Sequence, residues 1–155
     1  MIEMSQVAML QRLADEMEIR NLVSRIFLLA DQEADLDRYL DCFADDAVWE
    51  ARGKDDTVGR LADVHVGSRI VGREALRADR EHVRQTGHQG PGSGTYHVST
   101  TLEVRVGDDD TAEAESHWLF LRREEGGPKV LSVGSYVDRF VRTERGWKLA
   151  HRRFF

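Results

Sequence analysis

One carboxylate and two imidazoles are the side chains in this sequence whose types and positions could carry out chemistry. Asp31 follows the apolar stripe of a long predicted helix, four residues after Phe27. His97 and His117 each lie in a segment with the composition of a β-strand. Imidazoles exchange protons close to neutral pH, and a neighbouring carboxylate can orient them. If the three side chains meet in one pocket, they can catalyse proton transfer without a cofactor.

Each of these residues also has a purely structural interpretation. Further acidic residues follow Asp31, which is the pattern of a solvated helix end. His117 alternates with Leu119 on one strand face while large aromatic residues occupy the other, so it could be a hydrogen-bonded core residue. His97 shares its face with hydroxyl side chains, and that face would line either solvent or a polar cavity. The sequence pattern alone leaves these alternatives open.

Composition and spacing argue against several classes of protein. The net charge of −6 argues against a nucleic-acid partner. No apolar run reaches the ~20 residues that cross a bilayer, and the first ten residues lack the order of a signal peptide. Cys42, the only cysteine, is expected to be a small buried apolar residue. No metal-ligand spacing or phosphate-binding loop occurs, so we expect a cytoplasmic protein with no metal and no cofactor.

The elements that would position the three residues are helices followed by strands. The helical segments are the first 45 residues, which include a short second helix over 35–43 that ends before Asp45 and Asp46, and residues 72–85. A glycine-rich loop at 86–94 separates the helices from the later strands, and we expect it to be mobile. The strand-like segments are residues 47–51, 64–66, 95–106, 111–123, 129–142 and 147–155.

These elements predict one α+β domain over residues 1–155. Long neighbouring strands joined by tight turns favour an antiparallel sheet, with the helices packed on one of its faces. A long antiparallel sheet twists and curls, so the helices leave a ligand cavity at the wide end of a cone. The residues expected to line this cavity are Phe27, Trp49, Tyr96, Leu119 and Tyr136.

Several segments are similar to the SnoaL-like branch of the nuclear transport factor 2 superfamily. The resemblance covers nearly the full length of the chain. It implies a cone-shaped fold more strongly than it implies a reaction, because the patterns are shared across the superfamily. The matching segments are residues 19–31, 35–49, 72–76, 134–140 and 146–149.

Within that branch, the chain resembles two groups of lyases most, the scytalone dehydratases and the hexachlorocyclohexane dehydrochlorinases. The resemblance implies that Asp31 and His97 form a catalytic dyad and that His117 is a second acid–base group. The dehydratases also use a tyrosine that holds a catalytic water. The matching segment here contains Trp49 instead, so Tyr96 or Tyr39 would have to supply the phenol, and nothing in the sequence supports scytalone as the substrate.

The expected function is a cofactor-independent lyase acting on a small apolar, cyclic or aromatic substrate. His97 would be the general base, and Asp31 would fix its tautomer and stabilise the imidazolium. His117 would donate a proton to the departing oxygen or to a developing enolate. The glycine-rich loop before His97 would act as a lid.

Other functions on the same fold remain open at this point. A polyketide cyclase or a steroid-type isomerase would use the same base. The small subunit of an aromatic-ring dioxygenase or a small-molecule binding protein would need no catalysis. We also expect a homo-oligomer, either a dimer or a trimer, because Trp118 and Phe120 would form an exposed apolar patch if they faced outward.

Overall fold

The computed structural model describes residues 2–52 and 68–155 of the chain. The helices in these residues are α1 (Ile2–Gln32), α2 (Leu36–Leu40) and α3 (Arg73–Gln85). The strands are β1 (Phe43–Ala51), β2 (Arg69–Val71), β3 (Thr95–Val106), β4 (Thr111–Glu124), β5 (Gly127–Thr143) and β6 (Gly146–Phe154). The strand fragment predicted over 64–66 lies outside the described residues. No helix in the described part is long and apolar enough to cross a membrane.

The six strands form one sheet in the order β2–β1–β6–β5–β4–β3. Neighbouring strands run antiparallel except β1 and β6, which are parallel. The predicted class, an α+β fold with a curved antiparallel sheet and helices on one face, is confirmed. The parallel pair arises because β3, β4 and β5 form a meander at one side of the sheet, after which β6 returns beside β1.

From residue 5 onward, the apolar side chains of α1 that enter the core lie in its C-terminal half. The first of them is Ile19, and buried positions then recur at spacings of three and four as far as Ala30. Apolar residues earlier in the helix, such as Leu10 and Leu13, are exposed. The amphipathic half therefore packs on the inner face of the sheet and brings Asp31, in the last turn of α1, to the edge of the core.

The second helix is shorter than the sequence predicts. Asp35 caps α2 through its side chain, and the helix ends at Leu40. Residues 45–46, which we expected to end a helix, lie within β1 and are exposed. β1 begins early because the carbonyl of Cys42 accepts a hydrogen bond from the N–H of Leu149 at 2.9 Å, which starts the parallel pairing with β6.

The two faces of β4 are the reverse of those predicted. Trp118 and Phe120 point inward and are buried, whereas His117 and Leu119 point outward and are exposed. The expectations that His117 and Leu119 face the cavity and that the two aromatic residues form an outer patch are therefore wrong. Both faces of this stretch are largely apolar, so alternation did not distinguish them. The outward position of Glu115 on the same face as His117 was the better guide.

A bulge in β3 lets His97 point inward. The pairing of β3 with β4 shifts by one residue between Val98 and Thr101, as in a β-bulge. His97 lines the inner cavity before the shift, and Val104 is buried after it. These two positions are seven residues apart, so strict alternation would put them on opposite faces of the sheet.

Candidate functional site

Asp31 and His97 meet at the inner face of the sheet. Nδ1 of His97 lies 2.8 Å from Oδ1 of Asp31, and the backbone N–H of His97 donates to Oδ2 at 2.6 Å. The Asp31 side chain is 5% exposed, and both of its oxygens accept hydrogen bonds from His97 inside the core. A carboxylate can only accept, which means that Nδ1 carries a proton, and in the neutral ring the lone pair is then on Nε2.

Aromatic packing fixes the imidazole plane of His97. The ring of Phe27 stacks on it at 5.5 Å with an interplanar angle of 4°. Phe120 lies 4.6 Å away at 37°, and Trp118 lies 6.2 Å away. Because the bond to Asp31 holds one edge of the ring, Nε2 lies at the other edge, and the described residues offer it no hydrogen bond.

The ring borders a cavity of about 520 Å³, a size typical of pockets for small molecules. Its walls are mostly aromatic. Phe27, Trp49 and Tyr136, three of the residues predicted to line it, do so. The other lining residues are Ile26, Ala30, Tyr39, Arg80, His88, Gln89, His97, Trp118, Phe120, Leu131, Ser132, Val133, Arg152 and Phe154.

Two predicted lining residues lie elsewhere. Tyr96 is next to His97 in the chain and therefore faces the opposite side of β3, where Arg123 lies over its ring at 5.4 Å. Leu119 lies on the outer face of the sheet and is 40% exposed. Successive side chains of a strand alternate between its two faces. Because His97 and Trp118 face inward, their neighbours Tyr96 and Leu119 face outward.

His117 lies apart from the Asp31–His97 pair. It borders a second depression of about 440 Å³ on the outer face, beside Val98, Leu119 and Val133. The cavity that His97 lines does not include His117. The structure thus brings two of the three predicted catalytic side chains together and separates the third from them.

A buried cation also lines the cavity. Arg152 of β6 forms a two-point ion pair with Asp138, with its Nε 2.8 Å from Oδ1 and its Nη2 2.7 Å from Oδ2. Its guanidinium lies 4.0 Å from the ring centroid of Tyr136. Burial opposes the charge, but Asp138 outweighs it and raises the pKa of Arg152, so the group stays charged. Nη1 has no hydrogen-bond partner among the described residues.

Sequence reasoning missed Arg152 because a second bulge sets its direction. The pairing of β5 with β6 shifts by one residue between Arg139 and Phe140, where β6 contains the extra residue Ala150. Leu149 before that point and Arg152 after it both face inward, although they are three residues apart. Nothing in the alternation of β6 indicates this shift.

Two phenol groups complete the polar part of the cavity. Tyr39 and Tyr136 both line it, and neither hydroxyl forms a hydrogen bond within the described residues. Burial raises the pKa of Tyr136 to about 12 and also raises the pKa of Tyr39. Both groups therefore stay protonated near neutral pH and can donate hydrogen bonds to a bound molecule.

The glycine-rich loop supplies two further residues that sequence reasoning missed. His88 lines the cavity with its ring 5.0 Å from that of Phe120. Gln89 is buried against Asp31. Contacts tie the loop to the helices, and Gly90 is required there because its φ is +115° and a Cβ would lie 2.9 Å from Cγ of Arg84. One feature of the sequence could have indicated this polar contact. Asp79 and Arg80 lie on the buried face of α3, and buried charged side chains need partners.

Within residues 2–52 and 68–155, no three His, Cys, Asp or Glu side chains come together in a way that could hold a metal ion. The polar side chains that line the cavity can transfer protons and donate hydrogen bonds. His97 offers a basic nitrogen, and Arg152, Tyr39 and Tyr136 offer hydrogen-bond donors.

Comparisons with known proteins agree on the fold. Residues 11–153 match the SnoaL-like domain family. An NTF2-like protein with a cystatin-like fold from Novosphingobium aromaticivorans has a TM-score of 0.75 and 25% identity, with 96% of this chain and 86% of that chain covered. LinA has a TM-score of 0.68 and 21% identity, with 94% and 88% covered. No curated protein matches the chain.

A structure from Catenulispora acidiphila in complex with S-DNPA is also similar. Its TM-score is 0.62 and its identity 23%, with 91% of this chain and 92% of that chain covered. At this level of identity, the similarity to this structure and to LinA shows a shared fold, and the chemistry must be argued from the residues of the site.

Proposed function

The protein belongs to the SnoaL-like domain family of the NTF2-like superfamily, and from its site we propose a cofactor-independent lyase that acts on a small apolar, cyclic or aromatic substrate. The observation that carries the proposal is the 2.8 Å hydrogen bond from Nδ1 of His97 to Asp31 beside an aromatic cavity. A carboxylate behind an imidazole is the arrangement that prepares a general base.

His97 would begin the elimination. Its Nε2 takes a proton from the carbon next to the one that bears the leaving group, and Asp31 stabilises the imidazolium that forms. The electrons of the broken C–H bond form the double bond, and the leaving group departs with the electrons of its own bond to carbon. General base catalysis of this kind is typically worth about 10²–10⁴-fold in rate.

The departing group would meet Tyr136 and Arg152 rather than His117. A departing hydroxide takes the phenol proton of Tyr136 and leaves as water, and the phenolate recovers a proton from solvent when the product leaves. The guanidinium of Arg152, 4.0 Å from the ring of Tyr136, stabilises the negative charge. A departing halide needs no proton and would be held by the free Nη1 of Arg152.

The walls of the cavity support the choice of substrate class. Flat aromatic side chains surround the base, and the two arginines that line the cavity, Arg80 and Arg152, each pair with a carboxylate. A bound molecule therefore meets apolar faces and a few directed donors, which favours a neutral ring with one or two oxygen or halogen substituents. The resemblance to scytalone dehydratases and hexachlorocyclohexane dehydrochlorinases points the same way.

The proposal is tested by incubating the protein with cyclic β-hydroxy ketones and polychlorinated cyclohexanes and measuring loss of water or hydrogen chloride by mass spectrometry. We expect at least one member of this panel to be converted by the wild type and not by His97→Ala. The proposal is wrong if His97→Ala converts that compound at the wild-type rate, or if the wild type eliminates nothing from either class.

An isomerase or cyclase is the second candidate, favoured by the two un-ionised phenols. Tyr39 and Tyr136 could hold an enolate oxygen while His97 moves a proton between two carbons. A product of unchanged mass, with solvent deuterium incorporated, would identify this reaction. A dioxygenase small subunit or a binding protein would give no turnover and would tolerate His97→Ala.

We also propose that the chain forms a homo-oligomer, a dimer or a trimer. Val98, Leu119 and Val133 form an apolar area on the outer face of the sheet, and Val133 is 64% exposed. Light scattering coupled to size exclusion measures the mass directly. A wild-type protein that elutes as a monomer at high micromolar concentration contradicts the proposal.

A further inference from the structure

Gln89 lies where the loop between α3 and β3 crosses the Asp31–His97 pair. Its side-chain Nε2 donates to Oδ1 of Asp31 at 3.0 Å and lies 3.1 Å from Nδ1 of His97. The residue is 6% exposed. A buried amide that touches both members of the pair is in a position to control their geometry.

Arg80 fixes which way this amide points. The carbonyl oxygen of Gln89, Oε1, accepts from Nη1 of Arg80 at 2.8 Å. Arg80 is held in turn by Asp79, whose Oδ2 accepts from Nη2 at 2.6 Å and from Nε at 3.1 Å. If the amide were reversed, its NH₂ would face the guanidinium donors and its carbonyl would face Asp31, so two buried hydrogen bonds would be lost.

The direction of the Gln89 amide influences which ring nitrogen of His97 carries the proton. Oδ1 of Asp31 accepts from both Gln89 and Nδ1 of His97, while Oδ2 accepts from the backbone of His97. Three donors hold the carboxylate in one orientation. A lone pair at Nδ1 would face the Asp31 oxygen at 2.8 Å and be repelled, so this orientation favours the tautomer with its lone pair on Nε2.

We propose that Gln89 is a positioning residue for the Asp31–His97 pair, and that the Asp79–Arg80 ion pair acts through it by fixing the direction of its amide. The inference rests on the proposed function in one respect, which is that the pair being positioned contains a catalytic base. It adds a chain of contacts that runs from α3 through the loop to the last turn of α1. It also gives the loop a structural role in the site beyond that of a lid.

The test is a substitution that removes the amide donor of Gln89 and keeps the shape of the side chain. Gln89→Glu retains an acceptor for Arg80 but puts a carboxylate oxygen where Nε2 donated to Asp31. The added negative charge beside the ring favours imidazolium, so the NMR titration midpoint of His97 should rise by about one to three pH units. Gln85→Glu, an exposed position at the end of α3, adds the same charge away from the pair and should change the midpoint little.

The surroundings of the ring determine how this titration is interpreted. The titratable and charged groups that face His97 or its direct partners from the packed elements are Asp31 of α1, Tyr39 of α2, Asp79 and Arg80 of α3, His88 of the loop, Tyr136 and Asp138 of β5, and Arg152 of β6. Gln89→Glu changes the charge at one position and leaves all of these in place. The His97 signal is assigned by its loss in His97→Ala.

A kinetic measurement complements the titration. With a substrate in hand, Gln89→Glu should lower kcat by about 10- to 100-fold with KM nearly unchanged, and should move the acidic limb of the pH profile upward. If Gln89→Glu does not fold, Gln89→Asn is measured instead. Its amide is one methylene shorter, so the Nδ1 proton of His97 should exchange with solvent faster than in the wild type.

The outcomes separate this inference from the proposed function. The titration and the proton exchange need no substrate, so they report on positioning even if no elimination is found. A His97 midpoint in Gln89→Glu equal to that of Gln85→Glu would overturn the inference, as would wild-type proton exchange in Gln89→Asn. Activity that survives His97→Ala would instead overturn the proposed function.

Discussion

Gly134 of β5 lies directly across the ladder from Trp118 of β4, where any side chain would collide with the indole ring. A Cβ at Gly134 would lie 2.4 Å from Cζ2 of Trp118 and 2.5 Å from the carbonyl oxygen of Phe155. Trp118 is one wall of the cavity, so the bare backbone of Gly134 helps to define the volume available to a ligand.

Gly134→Ala should therefore move Trp118 and destabilise the fold. Overpacking of this kind costs about 1–3 kcal/mol, which is measured as the free energy of unfolding in urea. The intrinsic tryptophan fluorescence should also change. Gly126→Ala is the matched control, because a Cβ at Gly126 meets nothing within 4 Å. Equal stability of the two variants would show that the sheet yields at Gly134 without strain.

Asp31→Asn should remove activity while leaving the cavity intact. The amide is isosteric with the carboxylate, but it presents a donor or a neutral acceptor to Nδ1 of His97, so the tautomer is no longer fixed. We expect kcat/KM to fall by about 10²–10⁴-fold. Asp46→Asn, at an exposed position of β1, is the control for loss of one negative charge. Activity within a few-fold of the wild type in Asp31→Asn would argue that the carboxylate has no catalytic role.

The stability of the protein should depend on Tyr136 at high pH. Burial raises the pKa of Tyr136 to about 12 in the folded state, above the value of 10 for an exposed phenol. The folded state thus holds this proton more tightly, so the stabilising contribution is full below pH 10 and is lost as the pH rises from 10 to 12. A difference of this size is about 3 kcal/mol.

Urea unfolding of the wild type and of Tyr136→Phe between pH 8 and 12 measures that contribution. The difference in unfolding free energy between the two proteins should be constant up to pH 10 and should then change in favour of the variant. Other groups that titrate in this range are common to both proteins and cancel. Parallel curves over the whole range would show that Tyr136 ionises as readily in the folded chain as in the unfolded one.

Removing one partner of the buried Arg152–Asp138 ion pair should lower the free energy of unfolding more than replacing both partners by apolar residues. Arg152→Met leaves Asp138, whose side chain is 1% exposed, without its partner. Loss of one partner from such a pair costs about 3–5 kcal/mol, whereas replacing both groups by apolar ones is close to neutral. The double variant Arg152→Met, Asp138→Leu should therefore unfold at a higher urea concentration than Arg152→Met. The reverse order would mean that Asp138 is solvated in the single variant.

The part of the site carried by α1 could be predicted from sequence. Helical spacing identified the buried face in the C-terminal half of α1, although the earlier apolar positions Leu10 and Leu13 are exposed, and Asp31 was recognised as a carboxylate in an apolar setting. His97 was a candidate because it lies in a strand-like segment, and its pairing with Asp31 was implied by the resemblance to the hexachlorocyclohexane dehydrochlorinases. The structure brings these two together because α1 packs across β3, which follows from placing an amphipathic helix on an antiparallel sheet.

The other half of the site depends on features that leave no trace in a hydrophobic pattern. One extra residue in a strand reverses its faces, and such shifts occur in β3 beyond Val98 and in β6 beside Arg152. His117 was misplaced for a related reason, because both faces of β4 carry apolar side chains near it. The contact between Gln89 and Asp31 joins residues 58 positions apart through a loop, and no local rule predicts it.

The bulge in β3 has a consequence for how this scaffold can diverge. Deleting a single residue between Val98 and Thr101 would make the pairing with β4 regular, and residues 97 and 104 would then be six positions apart and would both still face inward. Losing the bulge without a deletion would instead shift the segment before it by one residue, so that His97 would turn to solvent and Val98 would take its place in the hollow. A relative without this bulge therefore keeps an inward imidazole only where its strand is one residue shorter.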